Sequence, residues 1–395
     1  MVSLVSVIKE TSKHGAHFYN TYAMKTDNWY HIEEVYSIDS PALIFYADRI
    51  KENVSLAKRM VGDPLRLRPH VKTHKTKEAA QIMMQEGILK FKCATIAEAE
   101  MLGMVQAPDV LLAYQPVGPK LQRLIALIKN YPATQFSCLV DDKKVAENIS
   151  NAATSAGITI PVFIDLNVGM NRTGIAPNED AVDLYKHCAS LKGIAFSGLH
   201  FYDGHIKEVD LEKRRNQCNE ILSSVRQLQK TITDMGRKNI VQLTGGGSPS
   251  FPIYAQEKDI ECSPGTFILW DKSYTDNLPE QHFLTAALVI TRVVSLPAEG
   301  LICLDMGHKA IAAENSLANR FYFLNAPELM PVSQSEEHLV MKATGSHPWK
   351  VGDLLYALPM HVCPTCALYK NAVVVENGAI TGSWDIIARD RKIFY

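Results

Sequence analysis

No apolar run in this 395-residue chain approaches the ~20 residues that a helix needs to cross a bilayer. The first 12 residues lack the charged, apolar, small-residue order of a signal peptide, and Lys9-Glu10 interrupts them early. Strong charge of one sign is missing too. Lys and Arg number 41 against 42 Asp and Glu, a formal net charge of −1. No basic field therefore points to nucleic acid, and no polybasic tract to a membrane surface. Cysteine is sparse: eight residues, scattered through a long chain, fit reduced thiols better than a disulfide framework. Internal repeats and low-complexity tracts are absent. These absences read as a cytoplasmic protein with neither nucleic acid nor membrane as a partner. What remains is ordinary globular composition, 47% hydrophobic and 21% charged, at a length suited to two domains or a large barrel with an appendage.

Short strand-like runs alternate with helical patterns over the first two thirds of the chain. The runs are 42–46, 65–71, 91–94, 110–114, 136–140, 162–166, 196–201 and 240–243. Helical periodicity fills 48–60, 76–86, 96–104, 119–130, 142–156, 179–190 and 208–235. This is the signature of βα units around a parallel sheet. A TIM-like (β/α)8 barrel is preferred to an open doubly wound sheet, because polar, Gly-rich segments follow several strands, as an active-site rim requires. After about residue 275 the texture changes to short strands punctuated by Pro, Gly and Asn, with Val373-Val374-Val375 before Glu376-Asn377-Gly378 as a hairpin signal. The expected organisation is a barrel over 36–275 and an antiparallel β domain over 276–395, to which 1–35 would add.

Chemistry concentrates at strand ends. Arg68-Pro69-His70-Val71-Lys72-Thr73-His74-Lys75-Thr76 closes an alternating run. Leu65, Leu67, Pro69 and Val71 share one face, while Arg68, His70, Lys72 and His74 share the other, toward the barrel interior. Lysine in such a setting can lose its proton and attack a carbonyl, forming a Schiff base. Register favours Lys72 over Lys75; a basic surface turn is the bland alternative. Thr244-Gly245-Gly246-Gly247 follows a late strand and can form an anion nest of backbone N–H groups, with 263–266 as the other wall, or simply a turn. Arg172, in the Gly-bracketed loop 165–174, can bind an anionic oxygen or pair with Asp165. Tyr202 could contact a cofactor ring, and His205 could act as a base or be a hydrogen-bonding bystander. His361 and Cys363, if extended, project the same way, as imidazole plus thiolate suited to zinc with open positions. Cys363 and Cys366 also form a lone C-x-x-C; a redox pair competes, but lacks the activating helix N-terminus.

Taken in order, Arg68 to Thr76, Cys93-Ala94-Thr95 with Glu98-Ala99-Glu100, loop 165–174, Tyr202 to His205, the Thr244 to Gly247 loop and His361-x-Cys363 resemble the D-threonine aldolase / D-serine dehydratase group. These are fold-type III pyridoxal phosphate enzymes, related to alanine racemase. The resemblance spans nearly the whole chain and is specific as a set. It implies Lys72 as the lysine joined to pyridoxal 5'-phosphate, with phosphate held by Thr244, Gly245 and Gly246 together with Gly265 and Thr266. It further implies Arg172 on the ring oxygen, Tyr202 near the ring, a divalent metal on His361 and Cys363, and a homodimer. Zinc is favoured on softness grounds, with manganese or magnesium as alternatives. Aldolases of the group can carry His-x-Asp where dehydratases often carry His-x-Cys, so Cys363 keeps both activities open.

The leading expectation is a lyase that splits D-threonine into glycine and acetaldehyde, with Lys72 and His205 as catalytic groups. The near alternative is a dehydratase turning D-serine into pyruvate and ammonia, in which Lys72 takes the α-proton. A non-catalytic cofactor carrier is a third reading; the β domain and the His361/Cys363 pair speak against it.

Overall fold

The computed structural model describes residues 28–236 and 240–395. It comprises two units, one reaching His31 and the other spanning Ile32–Tyr395. Of the first unit, residues 28–31 are described and form a turn closed by the His31 amide on Asn28 O (2.9 Å). The expectation that the N-terminus joins the β domain falls mostly on residues 1–27, outside the described residues.

Strand β1 (Ala42–Tyr46) runs into helix α1 (Ala47–Val61), and α2 (Lys77–Gln85) follows. Then come β2 (Lys90–Cys93), α3 (Ile96–Met104), β3 (Asp109–Leu112), α4 (Pro119–Asn130), β4 (Gln135–Val140), α5 (Lys143–Ser155), β5 (Ile160–Leu166), α6 (Glu179–Ser190), β6 (Ile194–Phe201), α7 (Leu211–Asp234), β7 (Gln242–Gly245), α8 (Phe251–Tyr254), β8 (Ile260–Cys262) and α9 (Lys272–Asn277). Side-chain caps start many of these helices: Thr76, Thr95, Asp142, Asn178, Asp210 and Asp271 each accept from an orphan amide of the first turn.

Strands β2 to β8 form one parallel sheet in chain order. Residues 67–71 close it. The Arg68 amide donates to Cys262 O (2.9 Å), the Val71 amide to Lys92 O (2.9 Å), and the Lys92 amide to Pro69 O (2.8 Å). The barrel anticipated from βα rhythm is thus present, with two differences in detail. Run 65–71 makes isolated bridges in place of a full strand, because 64–66 is a 3₁₀ turn and Pro69 has no N–H to give the ladder. Strand β8, three residues long, was too short to show a pattern.

The remaining strands are β9 (Ala287–Ala298), β10 (Leu301–Leu304), β11 (Phe321–Phe323), β12 (Met330–Gln334), β13 (Leu339–Lys342), β14 (Leu354–Pro359), β15 (Asn371–Glu376) and β16 (Ala379–Asp385), with helix α10 (Val362–Leu368) between β14 and β15. They form a second sheet, and β1 belongs to it, antiparallel to β9 and parallel to β15. Run 42–46 is therefore a correction: it leads into a helix like a barrel strand but pairs elsewhere. Its residues are buried on both faces after Ala42, so periodicity carried no hint of the partner sheet. The β1–β15 pair also makes this sheet mixed, where a purely antiparallel one was expected. The β15–β16 hairpin turns through Asn377 and Gly378, both at positive φ (51° and 86°), as its sequence foretold.

Candidate active site

Alternation places the chemistry. On β2, Phe91 and Cys93 pack outward while Lys92 points into the barrel; on 67–71 the same alternation turns His70 inward, with Lys72 just beyond. The result is a cavity of about 250 Å³, lined by His70, Lys72, Lys92, Tyr114, Asp165, Arg172, Thr173, His200 and Tyr202 among others. Tyr202 is its hub. Its ring centroid lies 5.8 Å from Lys72 Nζ, 5.9 Å from Lys92 Nζ and 4.9 Å from Arg172 Cζ.

Lys75 is removed from contention by its ion pair with the fully buried Glu98. Asp165 does not pair with Arg172 as one reading had it; its oxygens take His200 Nδ1 (2.7 Å) and Thr173 Oγ1 (2.8 Å). Burial, and secondarily the neighbouring lysines, push His70 well below the ordinary imidazole range. Burial and then Lys92 lower His200 as well. A neutral His200 that donates Nδ1–H to Asp165 presents Nε2 to Lys92 Nζ, 3.4 Å away. Burial and the proximity of Lys72 bring Lys92 down to about 7. The Asp165 carboxyl stays below its usual range: burial works against ionisation, but the His200 hydrogen bond and charge outweigh it.

The glycine loop abuts this cavity. A Cβ on Gly247 would sit 3.0 Å from Tyr202 Cε2, so the backbone passes directly along the Tyr202 ring. Gly246 has φ +76° and Gly245 lies under Phe201. Ser250 Oγ accepts from the Gly247 amide (3.1 Å) and donates to buried Asp203 (2.9 Å), which fixes the loop. On the opposite wall, a Cβ on Gly265 would approach His70 O to 3.0 Å, and the Ser263 hydroxyl is buried with no hydrogen-bond partner among the described residues. A cradle that only glycine fits, an orphan hydroxyl and a cationic lining suit a phosphorylated, aldehyde-bearing ring. Thr244 departs from expectation: its hydroxyl donates to Glu261 Oε2 (2.9 Å), inside a buried network with Arg68. Gly245→Ala is expected to destabilise the protein by ~1–3 kcal/mol and to weaken cofactor binding, because the new methyl would lie 2.3 Å from Phe201 Cζ. Thermal unfolding with a cofactor titration measures both; an unchanged pair of values would mean that the loop yields.

His361 and Cys363 stand beside the cavity without lining it. Cys363 Sγ lies 3.2 Å from Thr73 Oγ1, next to Lys72, and 3.7 Å from Thr266 Oγ1, so Thr266 faces the thiol. The pair is not extended as expected. His361 is the N-cap residue of α10 and Cys363 is already inside that helix, so the thiol does have a helix N-terminus beside it. Burial raises the Cys363 thiol, but its hydrogen bond and charge interaction with His361 outweigh this and leave it below its ordinary value. Imidazole and acidified thiol are a donor set suited to zinc. Among the described residues no group of three or more His, Cys, Asp or Glu has metal-holding geometry, so this pair offers two protein donors only. His205 is exposed, its Nε2 2.7 Å from where a Cβ on Gly169 would be, and lies outside the cavity lining. Lys92 and Glu314 (on His361 Nδ1, 2.5 Å) escaped the sequence reading. The alternation Lys90-Phe91-Lys92-Cys93 could have exposed the first.

Such a barrel, with a lysine, an arginine and a glycine cradle converging at its strand ends beside a β-rich sheet, defines a pyridoxal phosphate fold of type III. The chain belongs to the alanine racemase N-terminal domain family, whose model matches residues 46–266. A serine dehydratase domain model matches 286–375. The chain is 26% identical to the D-threonine aldolase of Arthrobacter sp, over 89% of this chain and 93% of that one. It is 25% identical to the 3-hydroxy-D-aspartate aldolase of Paracoccus denitrificans (strain Pd 1222), over 90% and 93%. The solved D-threonine aldolase from Filomicrobium marinum superposes with a TM-score of 0.82 at 28% identity, covering 89% of this chain and 95% of that one. Among the described residues no helix is long and apolar enough to cross a membrane.

Proposed function

We propose that the chain is a pyridoxal phosphate-dependent lyase that cleaves D-β-hydroxy-α-amino acids by a retro-aldol reaction, with D-threonine giving glycine and acetaldehyde. The observation that carries this reading is the Lys72 amine. It faces a cationic cavity at the strand ends, on the same tyrosine ring that the glycine loop touches. Lys72 holds the cofactor aldehyde. Gly245, Gly246 and Gly265, with Thr266 near its end of the cradle, surround the phosphate, while Arg172 and Tyr202 receive the ring. When bound, the cofactor supplies an electron sink for the bond broken at Cα. His361 and Cys363 take a divalent metal, zinc by preference, which would polarise the substrate β-hydroxyl. His205, at the rim, is the candidate for that hydroxyl's proton. A homodimer is the assembly we assign, in line with the resemblance.

The dehydratase reading keeps a specific support: Cys363 in the metal pair and the serine dehydratase domain match over 286–375. One incubation separates the two. With D-threonine, acetaldehyde and glycine are expected; 2-oxobutanoate and ammonia would replace the aldolase reading by the dehydratase one. Neither product, from cofactor-loaded and zinc-loaded protein, would sink both.

A further inference from the structure

Glu314 has no place in the reaction assigned above, yet its position is closely defined. It lies in the segment between β10 and β11, and that segment is tied to helix α10 at several points. The Ala312 amide donates to Thr365 Oγ1 (3.2 Å), the Tyr369 hydroxyl donates to Ala310 O (2.6 Å), and Thr365 Oγ1 donates to His361 O (2.9 Å). At the end of this brace, Glu314 Oε1 sits 2.5 Å from His361 Nδ1. The charged and titratable groups around the imidazole are Glu314, Cys363 and the buried Asp271, which accepts from the Val362 amide (3.1 Å) and so holds the turn carrying the pair. Stability alone does not explain Glu314. The two side chains are 49% and 44% exposed, and an ion pair so open to water contributes little to folding. Orientation explains it better. An imidazole that gives Nδ1–H to a carboxylate has its tautomer fixed and its Nε2 lone pair directed outward, as metal-binding histidines need.

We propose that Glu314 is a positioning residue of the metal site: it fixes the tautomer and the ring direction of His361 so that Nε2, beside Cys363, receives a divalent cation. The inference rests on the reading of His361 and Cys363 as a metal pair. Its test uses full-length protein stripped with a chelator and titrated with zinc against a chromophoric competitor, so that the readout is affinity and not turnover. Glu314→Ala is expected to weaken zinc binding ~10–100-fold. Glu314→Gln, which keeps an acceptor in place, is expected to fall between the two. The metal-free melting temperature should not move in either variant. Zinc affinity in Glu314→Ala equal to the parent's overturns the proposal, as does a loss matched by lowered metal-free stability, which would make the role structural. His361→Ala separates the two layers. If it binds zinc like the parent, the metal pair itself is refuted; if it loses zinc while Glu314→Ala does not, only the role of Glu314 is.

Discussion

Lys72→Ala is expected to lose the visible absorbance that pyridoxal phosphate gives the parent protein and to lower lyase turnover by more than ~10²-fold, because the amine that holds the cofactor aldehyde is gone. Three lysines surround the site, and their partners rank them. Lys75 is ion-paired with Glu98, and Lys92 sits deep against His200. Lys72 lines the cavity, faces Tyr202 and precedes Thr73, whose hydroxyl meets Cys363 Sγ, without the burial that holds Lys92. Borohydride reduction followed by peptide mapping reads the attachment directly. The cofactor mass should appear on the peptide containing Lys72 in the parent and vanish in the variant. A label found on Lys92, or one that persists in Lys72→Ala, would move the covalent chemistry to another amine and dismantle the proposed site.

The parts of this fold that were legible in the sequence are those set by local rules. Strand-helix rhythm revealed β2 to β7 and helices α1 to α7, but not the short α8. Alternation along 65–71 separated Leu67 and Val71, packed outside, from Arg68 and His70 inside, while Leu65, put on the packed face by the same alternation, is half exposed in the 3₁₀ turn. The Asn377-Gly378 turn was readable because positive φ at two successive positions restricts residue choice. What stayed hidden depends on distant partners. Strand β1 precedes a helix like any barrel strand, but its ladder is chosen by Val289 and Val374, more than 200 residues away. The His361/Cys363 geometry turned on where α10 begins, a boundary that Asp271 helps set from across the chain. Arg172 and Asp165 looked like neighbours in sequence, yet His200 takes the carboxylate, because β5 and β6 lie side by side and pair Asp165 with His200 in register. Glu314 belongs to a segment without regular structure, where nothing periodic flags a functional side chain.

Lys92→Met is expected to stabilise the cofactor-free protein, and most strongly at neutral pH and below. Burial, with Lys72 as the next cause, lowers the Lys92 amine from its ordinary 10.5 to about 7. The sign follows from proton counting. Between about pH 7 and 10.5 the unfolded chain carries a proton that the folded one has released, so stability rises with pH across that window. The destabilisation is complete below the folded value and gone above the unfolded one. At full expression the difference corresponds to ~5 kcal/mol. Methionine matches the lysine stem in shape but leaves His200 Nε2 without its donor, an offset of ~1–3 kcal/mol. A net gain of a few kcal/mol is therefore expected near neutrality, shrinking as the pH rises and turning into a small net loss as the pH approaches 10.5, where only the His200 offset remains. Thermal unfolding of both cofactor-free proteins at steps across that range measures it. If the variant is less stable at neutral pH, or its advantage grows with pH, the buried amine does not carry the penalty assigned to it. A stabilising substitution inside the cavity would also explain why the lysine is there. A group that weakens the fold and faces the bound ligand belongs to the site's chemistry, so the same variant should bind pyridoxal phosphate more weakly than the parent even as it melts later.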